Sequence, residues 1–424
     1  MHRAKIYNFK IILTHFPELA LSVRHRFFCM NPSTLKTINR KSLLRALPIL
    51  GGISAEVFLR DYWQKKPLLI RNAITAFTAP LSKNEILTLA RRDDVESRLI
   101  TRDADRWQIE YGPFSSGDFR QPKHVLWTVL VQDIQHFSKQ AHTLLAHFNF
   151  IPQARIDDLM VSYAVAGAGV GAHFDSYDVF LLQGLGRRRW QISSQQDLRL
   201  KPDLPLKILA HFRPTEEFVL ETGDMLYLPP SVAHNGIAET ECMTWSIGFR
   251  APSKQDLSIA FLDHLRDAIQ LPGQYADPKI KPTRHPAEID AAMQRRFEAL
   301  LQSVQTASRD QEIIRIFIGC YLTEPKPHVV IDLPETSLAA DMFAKYAMRH
   351  GLELALKTRI LYDDEHVFIN GDVHTPLRDA RNMLCELADQ RSLSASTIAK
   401  CESKKSLLFL YQCYCDGALL IAHH

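Results

Sequence analysis

The sequence predicts a mainly β plus α chain in which a barrel or sandwich of short strands is followed by helices and a small helix-and-hairpin module. Three observations carry this. Residues 156–250 hold the short apolar runs "LMVSYAV", "DVFLLQ", "RRRWQI", "EFVLE", "MLYLPP" and "MTWSIGF", punctuated by Gly, Pro and Asp, the pattern of a barrel or sandwich. After Pro252 the apolar period becomes helical. From Pro325 onward a helix, a hairpin and further helices follow.

Taken in order, the first thirty residues carry many Lys and Arg against one acid, Glu18. Organelle transit peptides share that pattern, and so does an extension ahead of an initiation near Met30. We read residues 1–52 as an N-terminal extension. The regular pattern begins at "SAEVFLRDYWQKKPLLI", a short helix starting at Ser54, interrupted by Pro67 and followed by a strand Leu68 to Ile70. Residues 84–150 read as mostly helical, including "HVLWTVLVQDIQHF", with one strand or hairpin around Trp107 to Tyr111. The strand-rich part completes one domain, residues 53–252.

Beyond it, Leu257, Phe261 and Leu265 form one helical stripe, and Met293, Phe297, Leu300, Leu301 and Val304 form another. Such stripes bury either against the barrel or in a dimer interface across residues 253–322. Residues 323–424 combine a helix near 338–350, the hairpin "LALKTRILYDDEHVFING" and two further helices, an order compatible with a winged-helix-like domain. Those helices lack a dense basic face, so no direct nucleic-acid binding is expected.

Composition bounds the function without naming it. At 424 residues the chain exceeds one core, and 46% hydrophobic with 23% charged residues is an ordinary globular balance. A net charge of +4 implies neither a nucleic-acid nor a membrane surface. Seven scattered cysteines without a CxxC pair argue against a disulfide framework or zinc ribbon and favour a reducing, cytoplasmic setting; Cys413 and Cys415 read as free thiols. No apolar stretch has the length of a bilayer span.

The chemistry gathers around "GAHFDSYDVFLLQGLGRRRW", residues 171–190. With 18 histidines in the chain, an HxD is expected by chance about once, so the phrase needs support. On one strand His173 and Asp175 share a face. "GDMLYLPPSVAH" brings His234 from a distant segment. Two imidazoles and a carboxylate on one face of an octahedron leave adjacent positions open, as in non-haem Fe(II) oxygenases, whereas zinc more often takes a closed tetrahedral set. Singly, each residue reads as a core histidine or a turn cap.

After the Gly184-Leu185-Gly186 turn of what reads as one hairpin, alternation places Arg188 with Trp190 and Ile192 on the inward face. A guanidinium inside a barrel needs a negative partner, either an internal acid or a bound carboxylate that its planar fork can grip. A dicarboxylate that chelates iron at one end and meets Arg188 at the other satisfies both ends, which points to 2-oxoglutarate.

These residues resemble the JmjC-type, 2-oxoglutarate-dependent ribosomal oxygenases, and among them the bacterial arginyl hydroxylases of large-subunit ribosomal protein sixteen. The resemblance spans residues 54–424, is strongest from Arg155 to Pro252, and is carried by "WQKKP", "RIDDLM", "GVGAHFDSYDVFLLQGLGRRRWQI", "GDMLYLPPSVAHNG" and "SIGFRAP". The first fifty or so residues have no counterpart.

It implies a double-stranded β-helix (cupin/JmjC) barrel holding Fe(II) on His173, Asp175 and His234. It places 2-oxoglutarate between iron and Arg188 with Ser162 as a further contact, and O2 as co-reactant. It also implies a helical dimerisation region, hence a homodimer, and a winged-helix-like C-terminal domain. For the substrate it implies that Asp158 holds a target guanidinium, Tyr177 stacks on it and Ser246 adds a hydrogen bond. Read locally, Asp158 caps the start of a strand and Tyr177 is core.

Thr244 stands where bacterial members tend to carry an amide, and "AVAGAG" replaces a Pro-Gly-rich loop. Competing classes are a histidyl hydroxylase sharing the iron site, a non-redox cupin metalloenzyme, which has no use for Arg188, and a non-catalytic adaptor.

Overall fold

The computed structural model describes residues 46–422, so the basic segment 1–30 and Cys29 lie outside the described residues. Buried structure begins earlier than the sequence indicates. The Leu47 and Ile53 backbones are bonded at 3.0 Å, and Ile49 and Leu50 join the core cluster that holds Phe58 and Ile70. Helix Ala55–Asp61 starts at Ser54, whose side chain accepts the Val57 N–H and so satisfies one free donor of the first turn. Strand β1 (Leu68–Ile70) follows Pro67.

Residues 84–150 are not mostly helical. Helices Lys83–Leu89 and Lys139–Leu145 flank three strands: β2 (Ser97–Asp103), β3 (Arg106–Tyr111) and β4 (Leu126–Val131). The hairpin at Trp107 to Tyr111 is present as β2–β3. The misread segment is "LWTVLV", which lies between β2 and β5 (Ile156–Ala164). A strand covered on both faces is apolar throughout and shows no period of two.

The remaining strands before the helical segment are β6 (Val179–Leu185), β7 (Arg188–Ser193), β8 (Glu216–Leu220), β9 (Met225–Leu228), β10 (Ala233–Ala238) and β11 (Cys242–Phe249). An antiparallel sheet of eight strands runs β1-β9-β6-β11-β5-β4-β2-β3 and faces a sheet of three, β10-β7-β8. β6 and β7 therefore do not form the single hairpin that the sequence suggests. The turn between them crosses from one sheet to the other, and Gly186 takes a positive φ of 62° within 2.0 Å of where a Cβ would meet the Glu241 carbonyl.

The register decides what faces the space between the sheets. Thr244 lies opposite Ser162 and Gly248 opposite Asp158, so these residues share the inner face of β11 and β5. The alternate residues Trp245, Ile247, Val161 and Leu159 point outward into the main core beneath the flanking helices. A second cluster of Val179, Leu181, Trp190, Ile192, Leu220, Leu226 and Leu228 closes one end of the inner space.

Helices Lys254–Ala268, Ala291–Ala307 and Gln311–Thr323 follow. Of the first stripe, Phe261 packs 5.0 Å from Phe317 of helix Gln311–Thr323 and Leu265 is buried, while Leu257 stays exposed. The second stripe stays open, with Phe297, Leu300, Leu301 and Val304 exposed. The C-terminal module has its own core around Phe343, Leu352, Leu384, Leu387, Leu410 and Leu419. It combines helices Ala340–His350, Arg378–Gln390 and Lys404–Cys415 with two small sheets, one of which includes the expected hairpin, Ile360–Tyr362 paired with Val367–Ile369. All described cysteines are free, including Cys413 and Cys415.

Candidate active site

His173 and Asp175 are not on a regular strand. They sit in the loop from β5 to β6, pinned by an isolated bridge in which the His173 N–H donates to the His234 carbonyl at 2.9 Å and the His234 N–H returns to His173 at 2.8 Å. The Asp175 carbonyl accepts the Ser231 N–H at 2.7 Å, which ties the same loop to the Pro229-Pro230 corner. Sharing of a face comes from these ties instead of from strand alternation.

Each imidazole is oriented by a backbone carbonyl. Nδ1 of His173 lies 2.9 Å from the Gly171 oxygen and Nδ1 of His234 lies 2.9 Å from the Val232 oxygen. A carbonyl only accepts, so Nδ1 carries the proton in both rings and each Nε2 presents a lone pair. Asp175 Oδ2 stands 3.7 Å from His234 Nε2, and one ligand atom from each of the three residues lies within 4.8 Å of the others. Burial, reinforced by His173, pushes the His234 pKa down to about 4 and keeps the ring neutral. The Trp190 ring packs 5.8 Å from His234 and has room because Gly236 lacks a Cβ, which would stand 2.7 Å from that ring.

Arg188 is buried, 3% exposed, on the inner face with Trp190 and Ile192, as alternation predicts. Its Nη1 donates to Ser162 Oγ at 2.9 Å and to Thr244 Oγ1 at 3.1 Å, and its Nε is buried without any partner. Among the described residues no carboxylate pairs with it, and burial lowers the guanidinium pKa. The internal salt bridge is therefore not built. Its neighbour Arg189, pointing outward, is paired with both Glu217 and Glu239. Thr244 takes part in holding Arg188 and donates onward to Gln183 Oε1 at 3.0 Å.

Asp158, Tyr177 and Ser246 gather at the other end of the inner face. Ser246 is buried on β11, one step from Gly248 and opposite Met160. Gly248 separates Asp158 from Tyr177: a Cβ there would lie 2.9 Å from Asp158 Oδ1 and 3.9 Å from the Tyr177 ring. Asp158 is buried, and desolvation, opposed by Lys326 and aided by Asp133 and Asp157, lifts its pKa to about 7. Tyr177 is 41% exposed, which excludes a core role, and burial of its hydroxyl beside Asp175 and Asp158 raises its pKa.

Sequence reasoning missed three contributors. Lys326, from the segment after helix Gln311–Thr323, places its ammonium 3.2 Å from Asp133, 3.5 Å from Asp157 and 4.0 Å from Asp158. Nothing in the sequence marks a lysine so distant along the chain. Gly248 was legible only as part of "SIGF". Asp178, the last residue of the HxDxYD phrase, is fully buried and structural: it accepts from Tyr227 Oη at 2.6 Å and Gln64 Nε2 at 2.9 Å. A second acidic group, Glu312, Glu365 and His366, already has Arg315 3.0 Å from Glu365 and 3.7 Å from Glu312, and so presents no open ligand set.

Two family models match the chain, the JmjC domain over residues 143–257 and the ROXA-like winged helix over residues 296–419. The chain is 33% identical over 334 residues to the ribosomal protein uL16 3-hydroxylase of Escherichia coli, covering 77% of this chain and 87% of that protein. It is 42% identical over 209 residues to a probable ribosomal oxygenase of Haemophilus influenzae, covering 48% of this chain and 52% of that protein. A solved structure of YcfD, a ribosomal oxygenase from Escherichia coli, in complex with cobalt and 2-oxoglutarate superposes with a TM-score of 0.73 at 30% identity, covering 86% of this chain and 97% of that one. With the two facing sheets and the carboxy-terminal module already in place, these matches establish that the chain belongs to the JmjC-type ribosomal oxygenase family, a cupin barrel joined to a winged-helix domain.

Proposed function

We propose that this chain is an Fe(II)- and 2-oxoglutarate-dependent hydroxylase of an arginine side chain, at the β-carbon, on a large-subunit ribosomal protein, releasing succinate and CO2. The observation that carries it is Arg188: a guanidinium buried inside the barrel with no acid and an unpartnered Nε, on the same inner face as an open two-histidine, one-carboxylate set. A non-redox cupin metalloenzyme leaves that charge without a purpose. The names of the relatives, a uL16 3-hydroxylase and a ribosomal oxygenase, support the reaction class.

The donor set fits iron. Two neutral imidazole Nε2 atoms and one carboxylate suit Fe(II) and leave positions free for 2-oxoglutarate and O2. When bound, Fe(II) supplies O2 activation coupled to decarboxylation of 2-oxoglutarate and delivery of one oxygen atom to a C–H bond. His173, Asp175 and His234 act as ligands and not as proton carriers, with the Gly171 and Val232 carbonyls fixing the rings.

Arg188 receives the distal carboxylate of the cosubstrate through charge-assisted hydrogen bonds, and the Ser162 hydroxyl, 2.9 Å from its Nη1, adds a contact. Asp158 pairs with the substrate guanidinium, Tyr177 offers its ring face, and Ser246, buried on β11, adds a hydrogen-bonding group. Positioning of one C–H bond selects the product. An arginine target would engage Asp158 through two parallel N–H groups where a histidine would offer one, which favours arginine over the histidyl alternative.

The exposed stripe Phe297, Leu300, Leu301 and Val304 fits a helical homodimer interface. Among the described residues no helix is long and apolar enough to cross a membrane, and a ribosomal-protein substrate is met in the cytoplasm. Mass spectrometry of ribosomal proteins from cells with and without this gene tests the function. A gain of one oxygen on an arginine, present only with the gene, is expected; oxygen on a histidine, or no difference, contradicts it.

A further inference from the structure

A cavity of about 560 Å³ lies between the flank of the barrel and the winged-helix module, lined by His136, His142, Arg359 and Arg391 among others. Among its charged groups Arg359 and Arg391 are cations outside any ion pair, and Asp389 is an acid whose partner is a neutral hydroxyl. Glu353 is held by Lys139 at 2.8 Å, Asp157 by Arg250 and Lys326 at 3.5 Å each, and Asp389 by the Tyr362 hydroxyl at 2.8 Å. Lys357 is bound to Asp332 at 2.8 Å.

Arg359 and Arg391 have no carboxylate within 4.0 Å among the described residues. Their side chains donate only to backbone oxygens. Arg359 reaches Leu322 at 3.5 Å and Asp157 at 3.3 Å; Arg391 reaches Thr358 at 3.4 Å and Ala355 at 2.8 Å. A guanidinium has five N–H donors, so each retains donors beyond these bonds, and both residues line the cavity. Burial lowers both arginine pKa values to about 10.

The histidines respond to the same excess. Burial, with Arg391 next, pushes His142 down to about 3, and burial pushes His136 down to about 4 against Asp133 and in concert with Arg359. His142 Nδ1 lies 3.3 Å from the Gln135 carbonyl, so Nδ1 carries the proton and Nε2 presents a lone pair. Like Arg188 inside the barrel, Arg359 and Arg391 are largely withdrawn from water without a direct ion pair, although Asp157 and Asp133 act on Arg359 from a distance.

We propose that this cavity is a second ligand site that takes a phosphomonoester, its oxyanion gripped between Arg359 and Arg391. A phosphate near its dianionic form balances two guanidiniums, whereas one carboxylate balances one. The volume lies within the range of roughly 300–1,000 Å³ typical of small-molecule sites and exceeds that of phosphate alone. Leu145, Ile156, Leu354 and Ile360 supply an apolar wall for an organic group. Because the walls come from both the barrel flank and the winged-helix module, occupancy would brace one against the other. This inference does not rest on the proposed hydroxylation.

The full chain is titrated with adenosine monophosphate and separately with inorganic phosphate, at constant ionic strength, while thermal unfolding is followed. A saturable rise in melting temperature is expected with both, at lower concentration for adenosine monophosphate, and at least about tenfold weaker in Arg359→Met and Arg391→Met. Arg315→Met, a control whose side chain is paired with Glu312 and Glu365, keeps wild-type binding. Where a methionine variant does not fold, Arg391→Lys weakens binding without abolishing it, and the His142 ring in the wild type titrates at higher pH with ligand bound. No saturable rise with either anion, equal affinity in the arginine variants, or inorganic phosphate binding as tightly as the nucleotide overturns the assignment.

Discussion

Replacing Arg188 by methionine should separate stability from function. In the wild type the guanidinium is 3% exposed, holds two hydroxyls at 2.9 and 3.1 Å, and has no acid partner. Replacing an uncompensated buried cation by an apolar chain of similar length removes a desolvation penalty and is expected to be neutral or stabilising. The two lost hydrogen bonds offset part of this, and Thr244 keeps its bond to Gln183.

The ligand-free variant should therefore melt within a few degrees of wild type or above it. Binding of 2-oxoglutarate behaves oppositely. Two charge-assisted hydrogen bonds of ~1.5–3 kcal/mol each make the loss at least about 3 kcal/mol, roughly 100-fold in affinity. The assay is thermal unfolding with Mn(II), with and without 2-oxoglutarate: the wild type gains about 2.7 kcal/mol at a ligand concentration 100 times Kd, and Arg188→Met loses that gain. A variant that melts many degrees lower yet keeps its 2-oxoglutarate response would refute the reasoning, because Arg188 would then be a structural ion and not a receptor.

Asp158 should impose a pH dependence on substrate binding. Its pKa near 7 means that the carboxylate needed by a guanidinium is lost as pH falls below neutrality, so KM for the protein substrate rises from pH 8 to pH 6 while KM for 2-oxoglutarate does not. Since this carboxyl binds its proton more tightly folded than unfolded, its effect on stability is an increasing cost as pH rises from 3.8 through about 7. Lys326→Met removes the cation that opposes the shift and should move the KM transition to higher pH, measured in initial-rate profiles. Tyr227→Phe deletes the 2.6 Å hydrogen bond to the fully buried Asp178 and should cost about 1–3 kcal/mol in denaturant unfolding. Phe297→Glu with Leu301→Glu should convert a dimer to a monomer in sedimentation velocity without loss of activity per barrel on a peptide substrate.

Much of the site was legible because its residues obey local rules. The alternation of Arg188, Trp190 and Ile192 follows from one strand with one buried face. Ser54 and Pro67 mark the first helix and strand through capping and the missing proline N–H. Where local pattern and tertiary surroundings part, the sequence misleads. "LWTVLV" is apolar on both sides because neighbouring strands and the flanking helices cover it, so its periodicity is erased.

The pairing of His173 with His234 depends on a two-residue bridge between loop and strand, a long-range contact that no spacing rule contains. The β6–β7 turn looked like a hairpin because turn chemistry is local, whereas the change of sheet is set by what each strand meets afterwards. Lys326 lies 168 positions beyond Asp158 in numbering and carries no signature of its own; only the packing of the C-terminal module against the barrel brings it to that carboxylate.

The central claim is that one metal ion and one small diacid are held between His173, Asp175, His234 and Arg188. A crystal structure of the complex with Mn(II) and 2-oxoglutarate, grown without oxygen, tests it most directly. The account predicts a single ion on Nε2 of both histidines and a carboxylate oxygen of Asp175, with the far carboxylate of 2-oxoglutarate on the Arg188 guanidinium and Ser162 hydroxyl. An ion bound elsewhere, or a cosubstrate that leaves Arg188 without an anion, would contradict it.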